Sequence, residues 1–323
     1  MILQNYLITE NDTPSRLDRY LKRQISHLNQ TSIQKWIRSK DIRLNGHKTA
    51  ADTSLIPGDS ITLSKFIVNI LSQPQEPIEF LPAYKQEDME FFESMIIFDD
   101  DDFLILNKPA GLAAQGGSKT NYHIDLLLKT YAHFVNIREP FRLVHRLDKD
   151  TSGLVVIAKN LRTSQYFANL FKTKEVQKKY WAFVTGKLKN IKGEIDAPLL
   201  KRAGYNNLNE TMVVDHEEGK KAITLYRQIK NINDKNLKWI ELQPITGRTH
   251  QLRAHTSHIG CPILGDKKYG ERLEKETEKH LFLHARSIQF RTPDGTSMTF
   301  VAPPPPHFEK VFKENSIFWE KYD

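Results

Sequence analysis

The sequence predicts a protein of mixed helices and strands in two domains. Its 323 residues leave room for two domains at roughly 100–200 residues each, with ample chain to bury a core. Short runs rich in β-branched and aromatic residues alternate with stretches whose apolar residues recur at helical spacing. Charge also shifts sharply along the chain. From Thr13 to Lys65 ten Lys or Arg face four Asp or Glu, a net +6, whereas from Phe66 to Ser94 six Asp or Glu face Lys85 alone. The composition, 27% charged and 39% hydrophobic, suits an ordinary soluble globular protein.

The basic segment, 13–65, reads as a small domain of its own. Pro14 and Ser15 can open a helix carrying Leu17, Leu21 and Ile25, and a second helix holds Ile33, Trp36 and Ile37. Two short strands follow, Ile42 to Leu44 and Ile61 to Leu63, with turn signals at Asn45-Gly46 and Pro57-Gly58-Asp59. Lys35, Arg38, Lys40, Arg43 and Lys48 fall near one another in this scheme. They read as a basic face for phosphates, with a generic solvated surface as the plain alternative. With an overall net charge of +8, most of it in this segment, the balance points to a polyanion partner. Residues 66–94 hold Pro74, Pro77 and Pro82 and read as an extended acidic linker away from that partner.

The second domain, 95–323, begins with a strand over Phe103 to Leu106, ended by Lys108-Pro109. A glycine-containing loop follows, then a helix over Leu126 to Phe134. Leu154 to Ala158 is a β-branched run that reads as a buried strand, followed by a helix over Ser164 to Phe171. Lys178 to Thr185 is an aromatic-rich strand, and Tyr180 in it reads on its own as a core tyrosine. Lys201 to Glu218 is a polar excursion. Trp239 to Gln243 is a strand leading into Pro244-Ile245-Thr246-Gly247-Arg248, which sets Arg248 near the start of a helix. Pro303 to Pro306 forms an extended strap before a terminal helix.

One stretch concentrates ionisable groups at the mouth of a buried strand: Leu143 to Lys159, LVHRLDKDTSGLVVIAK. Such groups are costly there unless they are paired or used, and loops on a rigid strand are common places for catalysis. Asp148 and Asp150 are two apart and would face one side of an extended segment, inviting a paired-carboxylate reading. A charged turn with local salt bridges is the plain alternative.

This stretch resembles the signature of the RluA-type RNA pseudouridine synthases. Four further segments match in the family's order: LILNKPAGLAAQGGS from Leu104, KKYWAFVTG from Lys178, PITGRTHQLRAH from Pro244 and LFLHARSIQF from Leu281. Ahead of them, SRLDRYL…SIQKWIRSKDIRLNG…IPGDSITL resembles the small RNA-binding domain first seen in a ribosomal small-subunit protein. The resemblance therefore implies an α+β chain. A small α/β RNA-binding domain precedes a pseudouridine synthase domain with a mixed, mainly antiparallel sheet and a central catalytic cleft.

The resemblance also implies site residues. Asp148 is the essential carboxylate, attacking C1′ of the ribose or removing a proton from C2′. Tyr180 stacks on the target base, Arg248 pairs with Asp148, Arg146 enters the space left by the flipped base, and Leu283 packs against it. Gln115 stands where the family usually has His. The QGGS loop and the DAPLLK segment after Glu194 most resemble the RluC-type branch, which acts on large-subunit (23S) ribosomal RNA or its assembly precursor. A transfer-RNA target and a catalytically inactive ribosome assembly factor are the rival readings. A hydrolase using Asp148 and Asp150 is a third.

The reaction moves a glycosidic bond without oxidation and needs no redox cofactor, and neither GxGxxG nor GK[ST] is present. His250, His255, His258 and Cys261 cluster in sequence. The spacing of five between the first two misses a shared helix face, and no acidic residue completes the set before Asp266, so no metal is expected. One cysteine permits no intrachain disulfide and fits a reducing, cytoplasmic compartment. No secretory signal, membrane span or obligate protein partner is expected.

Overall fold

The computed structural model describes residues 4–10, 12, 15–24, 30–72, 86–116, 122–135, 140–202, 210–232, 236–270 and 279–322. The chain forms two compact units, Met1–Ala83 and Tyr84–Asp323.

The first unit packs α1 (Leu17–Gln24), α2 (Gln30–Arg38) and α3 (Lys65–Ser72) with a three-stranded antiparallel sheet. Its strands are β1 (Gln4–Leu7), β2 (Ile42–Leu44) and β3 (Ser60–Leu63), in the order β1-β3-β2. Leu17, Leu21, Ile33, Trp36 and Ile37 come off the helices at three- and four-residue spacing and meet Ile42, Ile61 and Leu63 in one core. Pro14 and Ile25 lie outside the described residues.

The stretch 66–94 departs from the extended linker expected of it. Its beginning lies in α3, whose Ile67 and Val68 join the first unit's core. Its end is α4 (Gln86–Ser94), whose Met89 and Phe92 are buried in the second unit. Apolar residues three apart on α4 outweigh the acidity of its other face. Pro74, Pro77 and Pro82 lie outside the described residues.

The second unit is built on a ten-stranded sheet. Its strands are β4 (Ile96–Asp99), β5 (Phe103–Lys108), β6 (Arg142–Leu143), β7 (Ser152–Ala158), β8 (Gln177–Val184), β9 (Lys192–Asp196), β12 (Ile223–Ile232), β13 (Leu237–Pro244), β14 (Leu283–Arg291) and β15 (Ser297–Val301). The order is β4-β5-β7-β14-β8-β13-β12-β9, with β6 added on β7 and β15 on β14. A separate hairpin pairs β10 (Leu199–Arg202) with β11 (Thr211–Val214). These flank part of the polar excursion, whose residues 203–209 are not among those described. Among the described residues only β7 and β14 run parallel within the sheet, so it is mixed and mainly antiparallel, as the resemblance implied.

Both faces of β5 and β7 are covered, which explains their unbroken apolar runs. Leu104, Leu106, Val155 and Ile157 face a core shared with α4 and α5 (Ile124–Phe134). Phe103, Ile105, Leu154 and Val156 face Phe167 of α6 (Leu161–Thr173), together with Phe290 and Phe300. A third core gathers Trp181, Phe183 and Trp239 beneath Phe308 and Phe312 of α8 (Pro306–Glu314), the helix that follows the proline strap. Helix α7 (Gln251–His258) follows β13 and carries the PITGRTHQLRAH segment toward the 144–151 loop.

Candidate active site

The loop carrying Asp148 leaves β6 and re-enters the sheet at β7, and it is clamped at several points. Gly153 has φ +108°, and a Cβ there would lie 2.3 Å from the Ala285 carbonyl oxygen. Only glycine lets β14 pass so close in parallel. Lys108, fully buried, donates to the carbonyls of Pro109, Leu112 and Lys149 at 2.9, 2.8 and 2.9 Å. Burial pulls its ammonium down to about 7, against the pull of Asp150 and Asp148. Three acceptors match the three N–H bonds of the charged form, so Lys108 ties the loop to the strand end before it.

Two neutral imidazoles complete the frame. His145 accepts the Val156 N–H on Nε2 at 2.9 Å and stacks on Phe171, with ring centroids 4.6 Å apart. Its shielded ring titrates only at about 3, through desolvation. His284 faces Ser152 Oγ with Nδ1 at 3.0 Å and the Ala302 carbonyl with Nε2 at 3.4 Å. The carbonyl can only accept, so Nε2 carries the hydrogen and the Ser152 hydroxyl donates to Nδ1. Burial lowers this ring to about 3 as well.

Asp148 itself retains 26% side-chain exposure and stands where two cavities meet. The first, of about 560 Å³, is also lined by Tyr180, Arg248 and Leu283. The second is lined by Gln115, Asp150 and Lys268. Arg146, exposed, borders both, as do His250 and Arg253. Asp150 is exposed and lines only the second, so the two carboxylates do not share the first cavity.

The arginine beside Asp148 differs from the one expected. Arg248 donates its Nε to the Lys221 carbonyl at 3.0 Å. Arg253 places Nη1 3.7 Å from Asp148 Oδ2, and His250 places Nε2 3.9 Å from the same oxygen. The reason lies in α7. Arg248 precedes the helix in a turn, whereas Arg253 follows His250 by three residues and shares its side of the helix start. Arg253 is almost fully buried and bidentate to Asp266, with Nε and Nη2 each at 2.8 Å. Burial alone would raise Asp266, but the Arg253 bonds and charge outweigh it and hold the carboxyl below its usual range. A buried aspartate needs a cation, and Asp266 was the overlooked sign that Arg253 rather than Arg248 is the inner arginine.

Tyr180 lies on β8, opposite Ala285 of β14 and Leu242 of β13. Burial, aided by the Asp148 charge, pushes its phenol above the usual range, so it stays protonated at neutral pH. It can stack on a base and donate a hydrogen bond. Leu283 is buried in the wall of the same cavity. His255 has both ring nitrogens engaged, with Thr224 Oγ1 and the Ala197 carbonyl each at 2.9 Å, and serves the core.

In the first unit all five basic residues named above are exposed. Lys35 and Arg38 occupy the last turn of α2. Lys40 forms the turn that follows, Arg43 lies on β2 with Nη1 3.3 Å from the Gly46 carbonyl, and Lys48 comes after the next turn.

Comparison with known proteins identifies the family of the chain that carries this site. Residues 102–258 match the family described as RNA pseudouridylate synthase. The "Ribosomal large subunit pseudouridine synthase C" of Rickettsia prowazekii (strain Madrid E) is 42% identical over 85% of this chain and 88% of its own. The protein of the same name from Vibrio vulnificus (strain CMCP6) is 34% identical over 94% of both. The solved structure "Human RNA Pseudouridylate Synthase Domain Containing 4" has a TM-score of 0.59 at 28% identity, covering 71% of this chain and 97% of that one. A clamped aspartate loop with a buried arginine and a protonated tyrosine thus sits within a chain matched to such relatives along most of its length: it belongs to the RNA pseudouridylate synthase family and is an RNA pseudouridine synthase.

Proposed function

We propose that this chain converts specific uridines of large-subunit ribosomal RNA to pseudouridine, with Asp148 as the essential carboxylate. The observation that carries the chemistry is the Asp148 carboxylate at the meeting point of two cavities, 3.7 Å from the buried Arg253 guanidinium. The target assignment is supported by the names of relatives such as those of Rickettsia prowazekii and Vibrio vulnificus, at 42% and 34% identity.

The uridine leaves its stack and enters the first cavity, where Tyr180 and Leu283 receive the base. Flipping costs a few kcal/mol, and stacking on Tyr180, worth on the order of 1–3 kcal/mol, offsets part of it. Arg146, exposed between the cavities, fills the gap left in the RNA. Asp148 acts on the ribose, the bond from N1 to C1′ breaks, and the uracil turns within the cavity so that C5 bonds to C1′; C5 then loses its proton and N1 gains one, which makes the product an isomer of the uridine. Arg253 holds the carboxylate in place throughout. The first unit binds RNA through Lys35, Arg38, Lys40, Arg43 and Lys48, and the protein works in the cytoplasm without a cofactor or an obligate protein partner.

Chemical mapping of pseudouridine in cells with and without the gene tests the assignment. Large-subunit sites are expected to vanish without it and to return with wild type but not with Asp148→Asn, which still binds RNA. Sites lost only from transfer RNA would overturn the target. Marks restored by Asp148→Asn would overturn the role of Asp148. Release of free uracil, with Asp150→Asn as damaging as Asp148→Asn, would indicate a hydrolase.

A further inference from the structure

Tyr269 begins a chain of contacts that ends at the Asp148 carboxylate. Its hydroxyl oxygen accepts the Met212 backbone N–H at 2.9 Å and lies 3.0 Å from His250 Nδ1. Accepting from Met212 leaves the phenol's hydrogen available to Nδ1, and a neutral imidazole that accepts it there carries its own hydrogen on Nε2. Nε2 is the atom that faces Asp148 Oδ2 at 3.9 Å. Burial keeps His250 below its usual range, joined by the charges of Arg253 and Lys268 and opposed by Asp148 and Asp266. The ring is therefore neutral at pH 7.

The backbone singles out the same residue. His250 is the N-cap of α7 in the left-handed region, at φ +49°, and its side chain makes no capping bond. Ser, Thr, Asp or Asn would be the favoured cap, and a non-glycine residue in that conformation is strained. Strain of this kind persists where surrounding contacts fix the residue, and it clusters at functional sites. Here the ring instead faces Tyr269 through Nδ1 and Asp148 through Nε2.

We propose that Tyr269 and His250 form a positioning pair for pseudouridine formation. Tyr269 sets the tautomer, and His250 presents Nε2–H to Asp148 Oδ2. Arg253 approaches the same oxygen, at 3.7 Å, so Oδ1 is the oxygen turned to the ribose. At 3.9 Å the His250 contact is longer than a hydrogen bond and tightens by about 1 Å when RNA fills the cavities. This inference rests on Asp148 being the essential carboxylate.

The test combines nitrogen NMR of histidine-labelled protein with single-turnover and steady-state kinetics on an RNA substrate. Wild-type His250 is expected as the Nε2–H tautomer, becoming a mixture in Tyr269→Phe. Tyr269→Phe is expected to lower kcat ~10-fold and His250→Ala ~100-fold, each with KM changed less than about threefold. His250→Gln keeps an N–H near the Nε2 position and is expected to recover about tenfold of that loss. A wild-type His250 found as Nδ1–H or as the cation at pH 7.5 overturns the proposal, whatever the stability of the variants. Wild-type kcat in both His250→Ala and Tyr269→Phe, with Asp148→Asn inactive, overturns it alone. An active Asp148→Asn overturns the Asp148 reading as well.

Discussion

At the scale of single residues, Arg253 does two jobs that only a guanidinium can combine. Its Nε and Nη2 hold Asp266 side-on while Nη1 reaches toward Asp148. A lysine ammonium offers one point of charge where this geometry needs a planar fork. Arg253→Lys is therefore expected to lower kcat by about 100-fold or more. It should also cost on the order of 3 kcal/mol in urea unfolding, because buried Asp266 loses its bidentate partner. Arg248→Ala, at the same cavity but bonded to the Lys221 carbonyl, is expected to lower kcat less than about tenfold. Rates for the two variants on one RNA transcript separate these expectations, and equal losses would contradict them. The motif told us that an arginine belongs beside the carboxylate. It could not say which of two arginines five residues apart reaches it, because that depends on where α7 starts relative to the 144–151 loop. Lys108 was illegible for a similar reason. It looked like a charged strand end, and only the fold shows three carbonyls converging on its buried amine.

At the scale of elements, the strands were legible where both faces are buried. β5, β7 and β8 carry apolar or aromatic runs that no solvent-exposed strand would show. Helices α3 and α4 were hidden by the acidity and prolines of the segment between them, although Ile67, Val68, Met89 and Phe92 already marked their inner faces. Strand order was beyond periodicity altogether, since alternation reports which face a residue takes and never which strand is its neighbour. The β7–β14 pairing is the clearest case, and Gly153 offers its test. A Cβ there meets backbone at 2.3 Å, whereas Gly295, at φ +87° in the β14–β15 turn, has nothing within 4 Å. Gly295→Ala is expected to cost about 1–2 kcal/mol, the left-handed penalty alone. Gly153→Ala adds a collision with unyielding backbone, so its cost should exceed that of Gly295→Ala by at least about 1 kcal/mol. Urea unfolding of the two variants compares them directly, and equal midpoints would show that β14 yields at the contact.

At the scale of the whole molecule, charge is divided between the two units. Within the first, the stretch from Thr13 to Lys65 carries a net +6, while the Asp148 loop lies in the second. Lys35, Arg38 and Arg43 changed together to Glu are expected to flatten the dependence of RNA affinity on salt by about 2 in log–log slope, at roughly 0.7–0.9 per phosphate contact. The rate at saturating RNA should stay within about twofold of wild type. An unchanged slope would remove the first unit from RNA binding. Among the described residues no helix is long and apolar enough to cross a membrane. The parallel seam of the second unit, Ser152 and Gly153 against His284 and Ala285, has a temporal meaning too. The Asp148 loop leans on a strand that leaves the ribosome roughly 130 residues later, which at about 5–20 residues per second is some 7–26 s of synthesis. The first unit is complete well before that. During its own translation the protein passes through an interval in which the basic unit can already fold while the aspartate still lacks its frame, so synthesis itself delays catalysis until nearly the whole chain is made.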